Sequence, residues 1–111
     1  MYTQLASRLS VSQAAGAEVS QAVSMEGNNA GKVEITIYNL ASGGTSLTLD
    51  IEGSNDMQNW SQIVQYTGIP VGYGAQSNAT AIAYQYVRLK YLCVGSGGIA
   101  IVAAGINVSR L

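Results

Sequence analysis

The sequence contains no histidine and no phenylalanine, and it has one cysteine, one tryptophan and one proline among 111 residues. The absence of histidine removes the commonest general base and the commonest metal ligand. Cys93 would need an activating base to act as a nucleophile, and it has no second cysteine with which to form an intrachain disulfide. We therefore expect a protein that is not an enzyme, with no catalytic residue, no metal site and no cofactor.

Charge is scarce as well, since Asp, Glu, Lys and Arg make up 10% of the chain and the formal net charge is −1. Typical soluble domains have about 25% charged residues. Five scattered basic residues cannot neutralise a row of phosphates, so nucleic acid is not an expected partner. A nearly neutral surface promotes association, so we expect a homo-oligomer.

Long hydrophobic runs are missing too. The longest, Ile99 to Val108, is about half of the ~20 residues that a membrane-spanning helix needs. The first residues, Met1 to Gln4, do not show the basic region and apolar run of a signal peptide. The sequence therefore predicts synthesis in the cytoplasm and no membrane contact.

What the sequence does contain is alternation of apolar and polar residues with a period of two. Lys32 to Leu40 is the clearest case, with valine and isoleucine on one face and Glu34, Thr36 and Tyr38 on the other. Clusters of Gly, Asn and Ser separate such segments and are typical of turns. This spacing predicts an all-β fold, an antiparallel β-sandwich or jelly roll of seven to eight short strands, with no long helix after residue 16.

The same alternation predicts which side chains form the core. They are the apolar members of the strand segments together with the single tryptophan: Val33, Ile35, Ile37, Leu47, Leu49, Ile51, Trp60, Val87, Leu89 and Tyr91.

Two segments are predicted to organise the chain around this core. Residues 1–16 are interpreted as an N-terminal arm ending in a hinge at residues 13–16, and residues 17–111 as the β-sandwich domain. Residues 67–78 are interpreted as a long glycine-containing loop, followed by a strand over residues 79–84. The arm is an edge strand or a short helix that either closes an edge of its own domain or lies on the sheet edge of a neighbouring chain. An ordinary frayed terminus is the alternative.

The two ends of the sequence are predicted to form the oligomer contact. The segment Ile99–Val108 is apolar on both faces, so one face needs a cover beyond the domain's own core. The predicted contact residues are Tyr2, Leu5, Leu9, Val11, Ile99, Ile101, Ile106 and Val108. We expect deletion of residues 1–12 to leave a folded but smaller species that keeps its strand content and loses assembly.

The stretch from Ser54 to Trp60 has two interpretations. In the first it is a turn whose Asn and Asp side chains cap their own backbone, with Trp60 anchored in the core. In the second, Trp60 and nearby tyrosines form a platform for a sugar. Asp50 and Glu52 share the polar face of a strand and are interpreted as solvated surface charges; a calcium site formed with Asp56 is the alternative.

Three short motifs support a resemblance: "GSND" at residues 53–56, "NW" at residues 59–60 and "YVRL" at residues 86–89. Together they are similar to small β-sandwich modules of tailed-phage virions, and also to discoidin-like carbohydrate-binding domains. The first resemblance implies a capsid decoration protein, a minor coat protein or another subunit of a repeated assembly. The resulting hypothesis is a structural subunit that self-associates in a virion or another extracellular assembly. A carbohydrate-binding module is the alternative.

Overall fold

The computed structural model describes residues 2–75 and 80–110, and no helix occurs in those two ranges. Ten strands follow one another along the chain: β1 (Tyr2–Ser12), β2 (Glu18–Val19), β3 (Val23–Ser24), β4 (Ala30–Ala41), β5 (Ser46–Ser54), β6 (Ser61–Ile69), β7 (Gly72–Ala75), β8 (Thr80–Ala81), β9 (Tyr86–Val94) and β10 (Ile99–Ser109). The all-β prediction is confirmed. The strands outnumber the seven or eight expected because short strands flank the long ones.

The strands form two antiparallel sheets that pack as a sandwich. Sheet I has the order β1-β10-β4-β7, and β8 also pairs with β4. Sheet II has the order β2-β9-β5-β6, and β3 also pairs with β9. The central strands are therefore β4 and β10 in sheet I and β5 and β9 in sheet II, and each of them has partners on both sides.

The core lies between the two sheets, where the alternating apolar residues of β4, β5, β9 and β10 meet. Nine of the ten predicted core residues are at most 1% exposed, so these strand faces were assigned correctly. Side chains alternate between the two faces of a strand, which is why a period of two identifies the buried set. Burial raises the pKa of the Tyr91 hydroxyl, which has no hydrogen-bond partner within the described residues.

Trp60 is the exception among the predicted core residues. Its side chain is only partly buried, and its ring lies 4.2 Å from the guanidinium carbon of Arg88. Arg88 belongs to the outward-facing set of β9, because its neighbours Val87 and Leu89 are the buried ones. Trp60 thus covers the outer surface of sheet II, and the prediction that it anchors the core is wrong.

The segment predicted as a loop over residues 67–78 is also different in the structure. Strand β6 continues to Ile69, and β7 pairs with β4 through partners such as Tyr73 and Thr36. The strand expected over residues 79–84 is limited to Thr80–Ala81 in the described part, and residues 76–79 lie outside it. Residues 72–75 form a strand because their backbone pairs with β4. Their sequence lacks the apolar alternation from which strands are predicted.

The first strand, β1, pairs with β10 of its own chain from Tyr2 to Ser12. Gln13 continues the connection, since its backbone N–H donates to the Gly98 carbonyl at 2.9 Å. Residues 2–12 therefore form the edge strand of sheet I in the single chain, which is the closure in cis that the sequence left open. An arm laid on a neighbouring chain remains a prediction about an assembly.

Candidate contact surface

The eight predicted contact residues fall on β1 and β10, which are adjacent strands of sheet I. The structure divides them between the two faces of that sheet. Val11, Ile106 and Val108 are at most 1% exposed and belong to the core, so they cannot serve as contacts for another chain while the fold is intact. The prediction that these three residues form the oligomer contact is wrong, because the core of the same chain already covers them.

Leu5 and Leu9 are half-buried and pack against the edge of the core. Tyr2, Ile99 and Ile101 are the remaining three, and they belong to the outer face of sheet I. Tyr2 is 50% exposed, whereas Ile99 and Ile101 are partly buried. The surface open to another chain is therefore smaller than predicted and centred on β10.

The outer face of β10 is apolar along most of its length. Ile99, Ile101, Ala103 and Gly105 alternate with the buried set of the strand, and the polar members of the row, Asn107 and Ser109, stand at its end. Antiparallel sheets usually place polar residues on the face that points to water. We define the outer face of sheet I as this row of β10 together with the flanking side chains of β1, β4 and β7.

Tyrosine and glutamate side chains enclose one end of this face. The ring of Tyr2 lies over Gly105, where an added Cβ would be only 2.1 Å from the tyrosine hydroxyl. Glu34 is the register partner of Gly105 on β4, and it accepts a hydrogen bond from the hydroxyl of Tyr73. A side chain at position 105 would therefore displace the hydroxyl end of Tyr2.

The two tyrosines stay neutral at ordinary pH. The pKa of Tyr2 is raised, first by partial burial and then by the negative charge of Glu34. The pKa of Tyr73 is raised mainly by its hydrogen bond to Glu34. Tyr73 is nevertheless 67% exposed, so its ring is an accessible aromatic surface beside the apolar row.

At the other side of the same face, Arg8 lies over the ring of Tyr38 at 4.3 Å. Arg8 has a positive φ of 56° and stands where the register between β1 and β10 shifts, which is typical of a β-bulge. Strand β10 separates β1 from β4, so the arginine reaches across it. Tyr38 and Glu34 could have been found from the sequence, because alternation already placed both on the outer face of β4.

The outer face of sheet II is different because its acidic groups are covered. Asp50 is 6% exposed and Glu52 is 8% exposed, although both point away from the core. Arg88 donates a hydrogen bond to Glu52 at 2.8 Å while its guanidinium lies against Trp60. The prediction of solvated charges at positions 50 and 52 is wrong, because β5 is central and its neighbours' long side chains lie over it.

The turn after β5 has the self-capping structure of the first interpretation. Ser54 Oγ accepts hydrogen bonds from the backbone N–H groups of Asp56 and Met57, at 3.2 and 2.9 Å. Asp56 accepts from the backbone N–H groups of Gln58 and Asn59 and from the Asn59 side chain. The described residues contain no group of three potential metal ligands, so they offer no support for the calcium alternative.

These hydrogen bonds hold the pKa of Asp56 well below its usual range, the backbone N–H of Asn59 contributing most. A folded-state pKa below the unfolded value of about 3.9 stabilises the fold above that pH, and the stabilisation is lost as pH falls toward the lower pKa. We expect acid to reduce the free energy of unfolding less in Asp56→Asn than in the wild type.

Urea denaturation between about pH 5 and pH 2 measures this difference. Glu18→Gln is the control, because it removes an exposed carboxylate of β2 that lies away from the turn. Identical pH profiles for the wild type and Asp56→Asn would contradict the assignment.

The single cysteine is not placed for chemistry. Cys93 is 1% exposed on the inner face of β9, and burial raises the pKa of its thiol. The nucleophilic thiolate is therefore disfavoured.

These observations define the class of fold, a two-sheet antiparallel β-sandwich with an apolar row on the outer face of one sheet. No protein-family model matches the chain, and no curated protein sequence matches it. Among solved structures, the fold is similar to that of the PBSX exported protein XepA, with a TM-score of 0.75 and 13% sequence identity. The match covers 100% of this chain and 37% of XepA. The chain thus corresponds in fold to about a third of that longer protein.

Proposed function

We propose that this chain is a non-enzymatic structural module that associates with copies of itself through the outer face of sheet I. The observation that carries the proposal is the apolar row of β10, Ile99, Ile101 and Ala103, on a face that water would otherwise cover. The low overall charge of the chain also supports association. The lack of histidine and the burial of Cys93 support a role without catalysis.

A second copy is the occupant that suits this face best. Arg8 and Lys32 provide positive charges and Glu34 a negative one, so the face carries both signs around its apolar row. In a two-fold symmetric contact each patch meets the same patch of the partner, and charges of opposite sign can pair across the axis. Protein interfaces usually have a core of aromatic and aliphatic side chains surrounded by a polar rim, and this face has the same arrangement.

The setting we propose is a phage particle or another exported assembly. The fold is similar to that of an exported phage protein, which supports this setting at the level of fold. The short motifs of residues 53–60 and 86–89 resemble virion β-sandwich modules and support the same setting. A capsid-decoration or minor-coat role is the form of the proposal that these resemblances favour.

The substitution Ile101→Lys tests the contact. Ile101 lies in the middle of the apolar row, with Ser10 and Asn39 as its register partners, so lysine can be accommodated in the monomer. In the assembly it would place a charge inside an apolar contact, and we expect the dissociation constant to rise at least about tenfold. Sedimentation velocity over a series of protein concentrations measures the change.

The control is Leu92→Lys, which makes the same kind of change on the outer face of sheet II, where Leu92 is 38% exposed. We expect it to leave association unchanged. A wild-type protein that stays monomeric at about 1 mM, or equal weakening by both substitutions, would overturn the proposed contact surface.

A further inference from the structure

An open cleft of about 720 Å³ lies at one end of the sandwich, away from the row of Ile99, Ile101 and Ala103. Three chain connections line it: the turn between β3 and β4, the start of the connection from β5 to β6, and the connection from β8 to β9. Because β3 belongs to sheet II and β8 to sheet I, the cleft opens where the ends of the two sheets meet. Its volume is in the range of small-ligand sites, about 300–1,000 Å³.

Hydrogen bonds hold two of these connections together. The backbone N–H of Met25 donates to the Gln85 carbonyl at 2.8 Å, and the N–H of Asn28 donates to the Met25 carbonyl at 2.8 Å. Between them Glu26 and Gly27 have φ values of 49° and 82°, as in a type I′ turn. The turn therefore presents the exposed Glu26 side chain at the rim of the cleft in a fixed backbone frame.

Asn55 links the third connection to the other two. Its Oδ1 accepts a hydrogen bond from the backbone N–H of Gln85 at 3.0 Å. This bond orients the side-chain amide and uses its acceptor. The Nδ2 group has no partner within the described residues, so it is a donor available to a ligand.

Two tyrosines, Tyr84 and Tyr86, are among the residues that line the cleft, and both are partly buried. Tyr84 is held in place because its ring packs on Gly53, where a Cβ would be only 2.4 Å from the ring carbon Cδ2. A tyrosine offers a ligand both an apolar ring and a hydroxyl.

The chemistry of the lining selects one class of ligand. The side-chain amides of Asn28, Asn55 and Gln85 can donate to and accept from hydroxyl groups, and the carboxylate of Glu26 can accept from them. No lysine or arginine occurs among the described residues that line the cleft, so a phosphate or another anion would have no counter-charge. We propose that this cleft binds a neutral oligosaccharide, with its hydroxyls on the amides and Glu26 and its C–H faces on the tyrosines.

The experiment is a titration of the ¹⁵N-labelled protein with three neutral probes, cellotetraose, maltotetraose and tetra-N-acetylchitotetraose, followed by amide chemical shifts. We expect at least one probe to shift amides of residues 24–28, 55 and 82–86 with a dissociation constant of about 1 mM or tighter. Asn55→Ala should weaken that binding about fivefold to tenfold, as expected for the loss of one hydrogen bond. Glu26→Gln, which keeps the size of the side chain, should weaken it by a smaller factor.

Asn107→Ala is the matched control, since Asn107 is an exposed asparagine on the outer face of sheet I. It should bind the probe as the wild type does. The proposal is overturned if none of the probes shifts the cleft amides at about 10 mM, or if the shifts centre on Trp60 and Arg88 instead. It is also overturned if inorganic phosphate shifts the cleft amides more strongly than every sugar. Loss of self-association in Ile101→Lys leaves this test intact, because the two surfaces share no residue.

Discussion

Deletion of residues 1–12 is expected to abolish cooperative folding of the single chain. The deletion removes strand β1 and leaves the backbone of β10 unpaired along one side. It also takes Ala6 and Val11 from the core and Leu5 and Leu9 from its edge. Burying one such apolar side chain contributes about 1.5–3 kcal/mol. The summed loss is comparable to the whole stability of a small domain, about 5–15 kcal/mol.

Circular dichroism and urea denaturation of the truncated chain measure this effect, and sedimentation velocity is recorded on the same samples. Ser10→Ala is the control, because Ser10 is an exposed residue of the same strand. A truncated chain that unfolds cooperatively, keeps its strand content and no longer associates would contradict the expectation. That result would show that β1 acts on a neighbouring chain, as the alternative interpretation of the sequence holds.

The substitution Leu49→Ala is expected to lower the free energy of unfolding by about 2–5 kcal/mol. Leu49 is fully buried on β5, the strand between β6 and β9, and its register partners are Tyr66 and Tyr91. Partners on both sides limit how far the surroundings can collapse into the space that the leucine leaves. The cost therefore includes a cavity as well as lost burial.

Urea denaturation at neutral pH gives the value, and Leu92→Ala is the matched control. Leu92 is a leucine of β9 in the same sheet but is 38% exposed. We expect its truncation to change the free energy of unfolding by less than about 1 kcal/mol. A loss below about 1 kcal/mol for Leu49→Ala would mean that the inner face of β5 is wrongly assigned.

The inner faces of β4, β5 and β9 could be predicted from the sequence because each strand alternates strictly. Val33 and Ile35, or Leu47 and Leu49, are two positions apart and must share a face. Strand alternation does not determine which strands are neighbours. For this reason the sequence could not decide whether β1 pairs with β10 of the same chain or with a neighbouring chain.

The errors at the candidate site have a related origin. Ile99 and Ile101 occupy odd-numbered positions, whereas Ile106 and Val108 occupy even-numbered ones. Because side chains alternate between the two faces of a strand, the last strand has one outward set and one inward set. The alternation of residues distinguishes the two sets but does not determine which of them the core buries. The covered state of Glu52 and the outward position of Trp60 both depend on Arg88, which reaches over from the neighbouring strand β9. The local alternation of residues does not indicate such a contact.

The position of β10 between β1 and β4 also determines the order in which the fold can form. Strand β1 is synthesised before β10, and the register partner of Ser12 is Ile99, 87 residues further along the chain. At a translation rate of about 5–20 residues per second, the first strand waits on the order of 4–20 s for its partner. The hairpin of β5 and β6 needs no such wait. Sheet I is therefore completed only after β10 has emerged, and its closure is the slow step expected of a non-local β topology.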